Sequence, residues 1–180
     1  MGRVILITAF ADERDTMICT FAGHREIFGF DQSHLMEILE SILESEQELI
    51  CYVGGMGEFD SLCANAVRVL KHRHPEKNIL LILVLPYMKQ AINTCGEYFQ
   101  ERCDDIIIPT ELAGIYYKKA ITARNRWMVD QSDCLVAMVW RNYGGAYQTL
   151  KYAEKCSKKI FRMEQKNKSC ARRLQLFCKV

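Results

Sequence analysis

A glycine pair, Gly144 and Gly145, is the stretch of this sequence best suited to ligand chemistry. It follows an apolar, strand-like run over residues 134–140 and opens a helical pattern. A strand that passes through glycines into a helix leaves unpaired N–H groups at the helix start, which favour an anion such as phosphate. Arg124 and Arg126, one predicted helix upstream, could pair with the same anion. The alternative is a tight turn without a ligand.

Three more clusters of glycine or polar residues follow predicted strands. Glycines let a backbone approach a phosphate, His24 and Arg25 could clamp that phosphate, and Asp60 could accept ribose hydroxyls. The structural alternatives are a tight strand-to-helix turn, a solvated loop pair and a first-turn carboxylate that stabilises a helix dipole. The three clusters are Gly23-His24-Arg25, the glycines Gly54, Gly55 and Gly57 followed by Asp60, and Pro86-Tyr87.

The elements that must position these loops alternate between strand and helix. This alternation predicts an α/β fold: a Rossmann-like, doubly wound, mainly parallel sheet with helices on both faces. Ligands of such sheets bind at the carboxyl ends of the strands, so the four clusters are expected to share one rim. The predicted strands cover residues 17–21, 48–53, 78–85, 105–108, 134–140 and 159–163, and the helices cover 31–45, 58–72, 90–102, 120–131 and a segment from 144.

The composition is that of an ordinary globular protein. The 180 residues are 49% hydrophobic and 26% charged, which suits one domain with a sizeable core. The longest candidate membrane stretch, residues 79–85, is far shorter than the roughly 20 residues of a span. No secretion signal is expected, because an acidic cluster at 12–15 follows the apolar run at 4–10. Nine cysteines without a CxxC pair indicate a reducing compartment, so we expect a cytoplasmic protein.

Charge is unevenly placed along the chain. Residues 1–154 carry 15 basic and 21 acidic side chains, whereas residues 155–180 carry 9 basic and 1 acidic. A basic tail is compatible with nucleic acid, although a solvated, disordered end is the favoured interpretation. Because the rest of the chain is acidic, nucleic acid is disfavoured as a partner. The predicted organisation is one domain over 1–163, with an extra N-terminal strand at 4–10, and a basic tail over 164–180.

The order of these motifs resembles the SLOG superfamily, which unites the DNA-processing protein Smf/DprA with the LOG "lysine decarboxylase-like" phosphoribohydrolases. The closest likeness is to its small, stand-alone, YpsA-like bacterial branch. The resemblance implies a Rossmann-like fold that binds a nucleotide or nucleotide-derived ligand, and several members are thought to be ligand sensors. It covers about residues 17–163 and rests on Phe21-Ala22-Gly23-His24-Arg25, Gly54-Gly55-Met56-Gly57, Arg124-Asn125-Arg126-Trp127-Met128, Asp133, and Gly144-Gly145 with Thr149-Leu150.

The LOG enzymes use an arginine and a glutamate to cleave the N-glycosidic bond of a nucleoside monophosphate. Arg124 and Met128 match the helix that carries the arginine. The family glutamate closes a P-G-G-x-G-T-x-x-E loop, but here Leu150-Lys151 stands in its place. This departure weighs against LOG-type hydrolysis, because glycosidic cleavage needs an acid or base beside the sugar. The candidate substitutes from other loops of the rim are Glu58, Asp60 and Glu111.

The sequence is therefore compatible with three functions from different classes. The first is a SLOG module that binds a nucleotide-like small molecule through the rim residues and has little or no turnover. The second is a nucleotide N-glycosidase or transferase, with Arg124 on the phosphate and Glu58 or Glu111 among the candidate acids. A third, weaker hypothesis is a DNA-associated protein. No cofactor is expected, no metal site is predicted because the histidines lack metal-ligand spacing, and a homo-oligomer remains open.

Overall fold

The structure, a computed structural model, describes residues 16–44, 46–87 and 102–165 of the chain. Strands and helices alternate along these residues, and a short 3-10 helix, Thr110–Leu112, follows the fourth strand. The strands are β1 (Thr16–Gly23), β2 (Glu48–Val53), β3 (Asn78–Val84), β4 (Asp105–Ile107), β5 (Cys134–Met138) and β6 (Lys159–Arg162). The helices are α1 (Gln32–Leu43), α2 (Glu58–Arg73), α3 (Tyr117–Gln131) and α4 (Gly144–Lys155).

Helix α1 shows how local sequence sets an element boundary. Asp31 is its N-cap, and the Asp31 carboxylate accepts hydrogen bonds from the N–H groups of Ser33 and His34, at 3.2 and 3.3 Å. Such a cap satisfies donors that would otherwise lack a partner and contributes on the order of 1 kcal/mol. Helices α2 and α4 differ, because neither has a side chain that caps its N-terminus. In α4 the first N–H groups therefore stay available at the edge of the sheet, whereas in α2 the N–H of Glu58 donates to the carbonyl oxygen of Arg25.

The six described strands form one parallel sheet in the order β4-β3-β2-β1-β5-β6. From β1 the chain builds outward through β2 and β3 to β4, and then returns to the opposite side of β1 for β5 and β6. Cys19 in β1 accordingly lies between Cys51 of β2 and Cys134 of β5. This reversal in strand order leaves a crevice outside the carboxyl ends of β1 and β5, which is where doubly wound folds bind ligands.

Helices cover both faces of the sheet. Buried residues of α1 and α2, including Leu35, Leu39 and Leu70, form the larger core on one face. On the other face, Met128 and Val129 of α3 pack on the strands together with α4. Full burial of a leucine side chain contributes about 1.5–3 kcal/mol, so these faces supply most of the stability that holds the rim in place.

The predicted fold class is confirmed, and the differences lie at element boundaries. Helix α3 begins at Tyr117 rather than at 120, and β5 ends at Met138 rather than at 140. Cys51 and Cys134 are buried in strands, as predicted, and burial raises the pKa of the Cys51 thiol. The predicted strand at 4–10 and helix at 90–102 fall outside the described residues, apart from the last residue of the helix, as does the basic tail beyond 165.

Candidate functional site

A cleft of about 490 Å³ opens at the carboxyl ends of β1, β2 and β5; we call it the rim cleft. Three loops and one face of α3 form its walls, so it lies at the reversal in strand order. The structure brings nine of the predicted ligand residues together here: Gly23, His24, Arg25, Gly54, Asp60, Arg124, Gly144, Gly145 and Thr149. The other lining residues are Phe21, Ala22, Glu26, Met56, Ile121, Asn125, Met128, Arg141, Tyr143 and Ala146.

The start of α4 forms one wall of the rim cleft. Its N-cap, Tyr143, makes no side-chain cap hydrogen bond, and Gly144 has a φ of +89°, a conformation that favours glycine. A methyl group built on Gly144 or Gly145 would meet no heavy atom within 4 Å, so the space beside this backbone is open. An uncapped helix start beside open space offers free N–H donors and the positive end of a helix dipole to an anion.

Arg124 is the most deeply placed cation of the site. Its side chain is only 2% exposed, and its Nη1 donates a hydrogen bond to the carbonyl oxygen of Val84 at 3.0 Å. Its Nε is buried without a hydrogen-bond partner in the structure. Burial lowers the pKa of Arg124, and the nearby Asp60 opposes that effect. A guanidinium remains charged at neutral pH, so the site holds a buried positive charge with an unused donor.

Two glycines are required by what lies against them. A methyl group on Gly54 would lie 1.8 Å from Nη1 of Arg124, so only a glycine lets the guanidinium occupy this place. A methyl group on Gly23 would lie 2.2 Å from the ring of Phe59, the second residue of α2. The ends of β1 and β2 therefore carry glycines because α2 and α3 approach the sheet closely there.

Asp60 faces the same cleft from the first turn of α2. Its Oδ2 accepts a hydrogen bond from the N–H of Met56 at 2.9 Å. Burial raises the pKa of Asp60, while the N–H groups of Met56 and Gly54 and the charge of Arg124 act in the opposite direction. The carboxylate thus holds the loop between β2 and α2 and lies within electrostatic reach of Arg124.

His24 joins the loops that follow β1 and β5. Its Nε2 accepts a hydrogen bond from the N–H of Arg141 at 3.3 Å, and its ring packs edge-on against Trp140 with centroids 4.2 Å apart. Burial, and secondarily the charge of Arg141, lower the pKa of His24. An accepting Nε2 requires the neutral ring with its proton on Nδ1, so His24 is an uncharged brace of the Arg141 loop.

Thr149 is held by neighbouring side chains and backbone. Its hydroxyl donates to the carbonyl oxygen of Gly145 at 2.9 Å and accepts from Nδ2 of Asn125 at 3.2 Å. These bonds connect α3 to the first turn of α4, directly behind the glycine pair. Asn125 and Thr149 therefore fix the position of the helix start that faces the cleft.

Five predicted site residues do not line the rim cleft. Gly55 and Gly57, with φ of +63° and +114°, shape the turn before α2, and the carbonyl of Arg25 accepts from the N–H of Glu58 at 2.9 Å. The Glu58 carboxylate in turn accepts from the N–H of Ile27 at 2.9 Å. Arg126 lies on the exposed side of α3, 5.4 Å from the ring of Tyr152, and Glu111 is exposed on the 3-10 helix.

Arg124 forms no salt bridge with Asp130 or Asp133, the aspartates at and just after the end of α3. Asp130 accepts a hydrogen bond from the hydroxyl of Tyr152 at 2.8 Å, and Asp133 accepts one from the N–H of Ile18, also at 2.8 Å. Asp133 thus braces β1 and has a structural role. Arg124 instead contacts the ends of β2 and β3.

Sequence reasoning placed Tyr143 in the rim cluster 143–149 but did not single it out as a ligand residue, and it missed Arg141 and Glu26 as lining residues. Arg141 and Tyr143 lie between a strand and a glycine-led helix, and that position alone could have identified them. Among the described residues no group of three or more His, Cys, Asp or Glu side chains is arranged to hold a metal ion. No described helix is long and apolar enough to cross a membrane.

Comparison with known proteins relates the fold to DNA processing protein A. No family model matches the chain. The uncharacterized SPbeta prophage-derived protein YoqJ of Bacillus subtilis is 24% identical over 136 residues, which is 67% of this chain and 78% of YoqJ. The chain also superposes on DNA processing protein A of Helicobacter pylori with a TM-score of 0.57, at 15% identity over 89% of this chain and 73% of that one. DprA of Streptococcus pneumoniae superposes with a TM-score of 0.57, at 13% identity over 90% of this chain and 57% of DprA.

These similarities establish the fold and correct one expectation. The described part of the chain has the Rossmann-like α/β fold of the DprA structures, as the SLOG resemblance implied. The structure of the Helicobacter pylori protein concerns its binding of single-stranded DNA. Our expectation that nucleic acid is disfavoured as a partner is therefore contradicted. It rested on the net acidic charge of residues 1–154, which says nothing about how arginines concentrate at one rim.

Proposed function

We propose that this protein is a cytoplasmic module that binds a nucleotide or nucleotide-derived ligand in the rim cleft and holds it by a phosphate. One observation carries the proposal: the buried guanidinium of Arg124, with an unpartnered Nε, shares a cleft with the uncapped, open start of α4. A buried cation with an unused donor and a row of free N–H groups suit an anion with several acceptor oxygens.

The other charges of the cleft favour the same ligand. Arg25 and Arg141 line it, are exposed, and form no ion pair with any described residue. Glu26 and Asp60 are the acidic lining residues, and Asp60 is already engaged by the N–H of Met56. The arginines thus outnumber the carboxylates at the surface that a phosphate would approach, which supports anion binding.

The site supports binding more strongly than turnover. Leu150-Lys151, which stands in place of the LOG glutamate, supplies no carboxyl group: Leu150 is 4% exposed in the core between α4 and the sheet, and Lys151 pairs with Glu154. Glu58 and Glu111 lie outside the cleft. These placements favour a sensor-like module of the stand-alone, YpsA-like kind over a LOG-type phosphoribohydrolase.

A nucleotide N-glycosidase is the second candidate, because Asp60, one of the two acidic residues that line the cleft, has the properties of a general acid. Burial raises the pKa of Asp60, as befits a general acid, and Arg124 lies close enough to influence that pKa. The assay is release of free base from nucleoside mono-, di- and triphosphates. Release that is abolished in Asp60→Asn supports the enzyme, whereas binding without release supports the module.

The phosphate could belong to a free nucleotide or to a single-stranded nucleic acid, and one experiment separates the two. Freshly purified protein is examined by native mass spectrometry, and then by thermal unfolding with mononucleotides, dinucleotides, cyclic nucleotides and short single-stranded DNA. A ligand at a hundredfold excess over its Kd adds about 2.7 kcal/mol to the free energy of unfolding. Stabilisation by small nucleotides supports a sensor, and stabilisation by DNA alone assigns a nucleic-acid module. No stabilisation by any of them contradicts the proposal.

A further inference from the structure

Tyr143 stands at the mouth of the rim cleft. It directly precedes Gly144, lines the cleft, and its side chain is 64% exposed. The backbone of Tyr143 is extended, with φ −149° and ψ 168°, and leads directly into the first turn of α4. The position of the Tyr143 side chain is therefore set by the start of that helix. A large aromatic ring is therefore held in solvent next to the proposed phosphate position.

A second aromatic group stands at the start of α3. The residues of α3 that line the cleft are Ile121, Arg124, Asn125 and Met128, a spacing that defines one helix face. Tyr117 lies four residues before Ile121 and so extends this face by one turn. Tyr117 is 63% exposed, and its ring meets that of Tyr116 edge-on at 4.8 Å.

Contacts between α3 and α4 place the two helix starts at the same level. Asn125 bonds Thr149, and one turn further along both helices Asp130 bonds Tyr152. The helices therefore run side by side in the same direction. Extended backward, this correspondence brings Tyr117 to the level of the residues just before α4. Tyr117 thus lies one turn beyond the lining residues of α3, on the side of the rim cleft where Tyr143 borders the opening.

We propose that Tyr143 and Tyr117 form a base-stacking subsite, so that the ligand is a phosphate that carries a planar heterocycle rather than a plain sugar phosphate. The inference rests on the proposed function. Exposed aromatic rings beside a phosphate site hold bases by stacking, and they accept every base because each has a π face. Lys118, whose Nζ is 6.0 Å from the Tyr117 ring centroid, adds a cation at the same border.

The test compares two probes that differ only in the base: adenosine 5′-monophosphate and ribose 5-phosphate. Stacking predicts that the nucleotide binds about 5- to 150-fold more tightly than the sugar phosphate in the unaltered protein. The same preference is expected for the guanosine, cytidine and uridine monophosphates. Calorimetric titration of all five probes gives the ratio of dissociation constants.

Substitution of each tyrosine tests whether its ring causes the difference between the dissociation constants of the nucleotide and the sugar phosphate. Tyr143→Ala should reduce the ratio to near one, Tyr143→Phe should retain it, and Tyr117→Ala should lower it. Tyr147→Ala is the matched control for Tyr143→Ala, because Tyr147 is a tyrosine of the same segment, with its ring 5.7 Å from Nζ of Lys151, but unlike Tyr143 it does not line the cleft. An unchanged ratio in Tyr143→Ala overturns the subsite. Failure of the unaltered protein to bind either probe overturns the phosphate site itself, which is a different result.

Discussion

The guanidinium of Arg124 occupies the space that any side chain at position 54 would need. A methyl group on Gly54 would lie 1.8 Å from Nη1, 2.5 Å from Cζ and 2.7 Å from Nη2. The end of β2, the carbonyl of Val84 at the end of β3, and α3 therefore meet at one charged group. The deepest cation of the cleft also joins three elements of the fold.

Gly54→Ala should displace Arg124 and destabilise the protein. A forced insertion of this kind into a packed site costs typically about 1–3 kcal/mol. Urea unfolding should show a lower midpoint with an unchanged slope, and nucleotide binding should weaken as well. Unchanged stability together with unchanged nucleotide binding would mean that the guanidinium does not hold this position.

Arg124→Met and Arg126→Met form a matched pair on α3. The first leaves the buried carbonyl of Val84 without its donor, which costs about 1–3 kcal/mol, and removes the charge beneath the proposed phosphate. The second removes an exposed cation that lies over Tyr152, so stability should change by less than about 0.5 kcal/mol. Calorimetric titration should show binding lost only in Arg124→Met. Equal effects of both substitutions on binding would contradict the assignment of Arg124.

Asp60 should make stability depend on pH in the acidic range. Its folded-state pKa is raised above its ordinary value of 3.8, chiefly by burial. As the pH rises past 3.8, the carboxyl group ionises in the unfolded chain before it ionises in the folded protein. The stability that Asp60 contributes therefore decreases with pH up to the folded-state pKa and is constant above it. The Asp60→Asn side chain keeps an oxygen that can accept the hydrogen bond from the N–H of Met56, but it has no group that ionises.

The free energy of unfolding of Asp60→Asn, relative to the unaltered protein, should therefore rise with pH across that window and then level off. Denaturant titrations at a series of pH values measure this difference. A difference that stays constant, or that falls as the pH rises, would show that the folded-state pKa of Asp60 is not raised.

His24 should act in the opposite sense on acidification. Its folded-state pKa is lowered from 6.5, so the unfolded chain takes up the proton first and stability is lost as the pH falls through the folded-state pKa. Protonation also removes the acceptor for the N–H of Arg141. In His24→Gln this part of the pH dependence should disappear, as denaturation between pH 5 and pH 8 would reveal. The same acid sensitivity in both proteins would assign it to the other histidines.

The features predictable from the sequence were those with local causes. Asp31 marks the start of α1 because its carboxylate satisfies nearby N–H groups, and the apolar runs of β2 and β3 reflect burial. The predicted start of helix α3 is three residues late, because its N-cap is Tyr116. Tyr116 makes no side-chain cap hydrogen bond, so no capping residue in the sequence marks this boundary. The alternation of elements likewise predicted a parallel sheet, and with it a shared rim.

The site was less predictable where one residue's role depends on another element. Arg124 and Arg126 are two residues apart on α3, so they point in different directions, and only the first faces the sheet. Arg141 becomes a site residue through the hydrogen bond that its N–H donates to His24, a contact between distant parts of the chain. Such contacts follow from strand order, which no local pattern encodes.

The most direct test of a phosphate at the start of α4 is a nucleotide titration of Gly145→Ala. A methyl group at Gly145 meets nothing within 4 Å in the protein itself, and alanine favours a helix by up to about 1 kcal/mol over glycine. The variant should therefore be at least as stable as the unaltered protein. Calorimetry with the nucleotide that stabilises the unaltered protein most should show at least tenfold weaker binding, because the methyl group enters the space of the phosphate. A stable variant that binds this nucleotide with unchanged affinity would contradict the account.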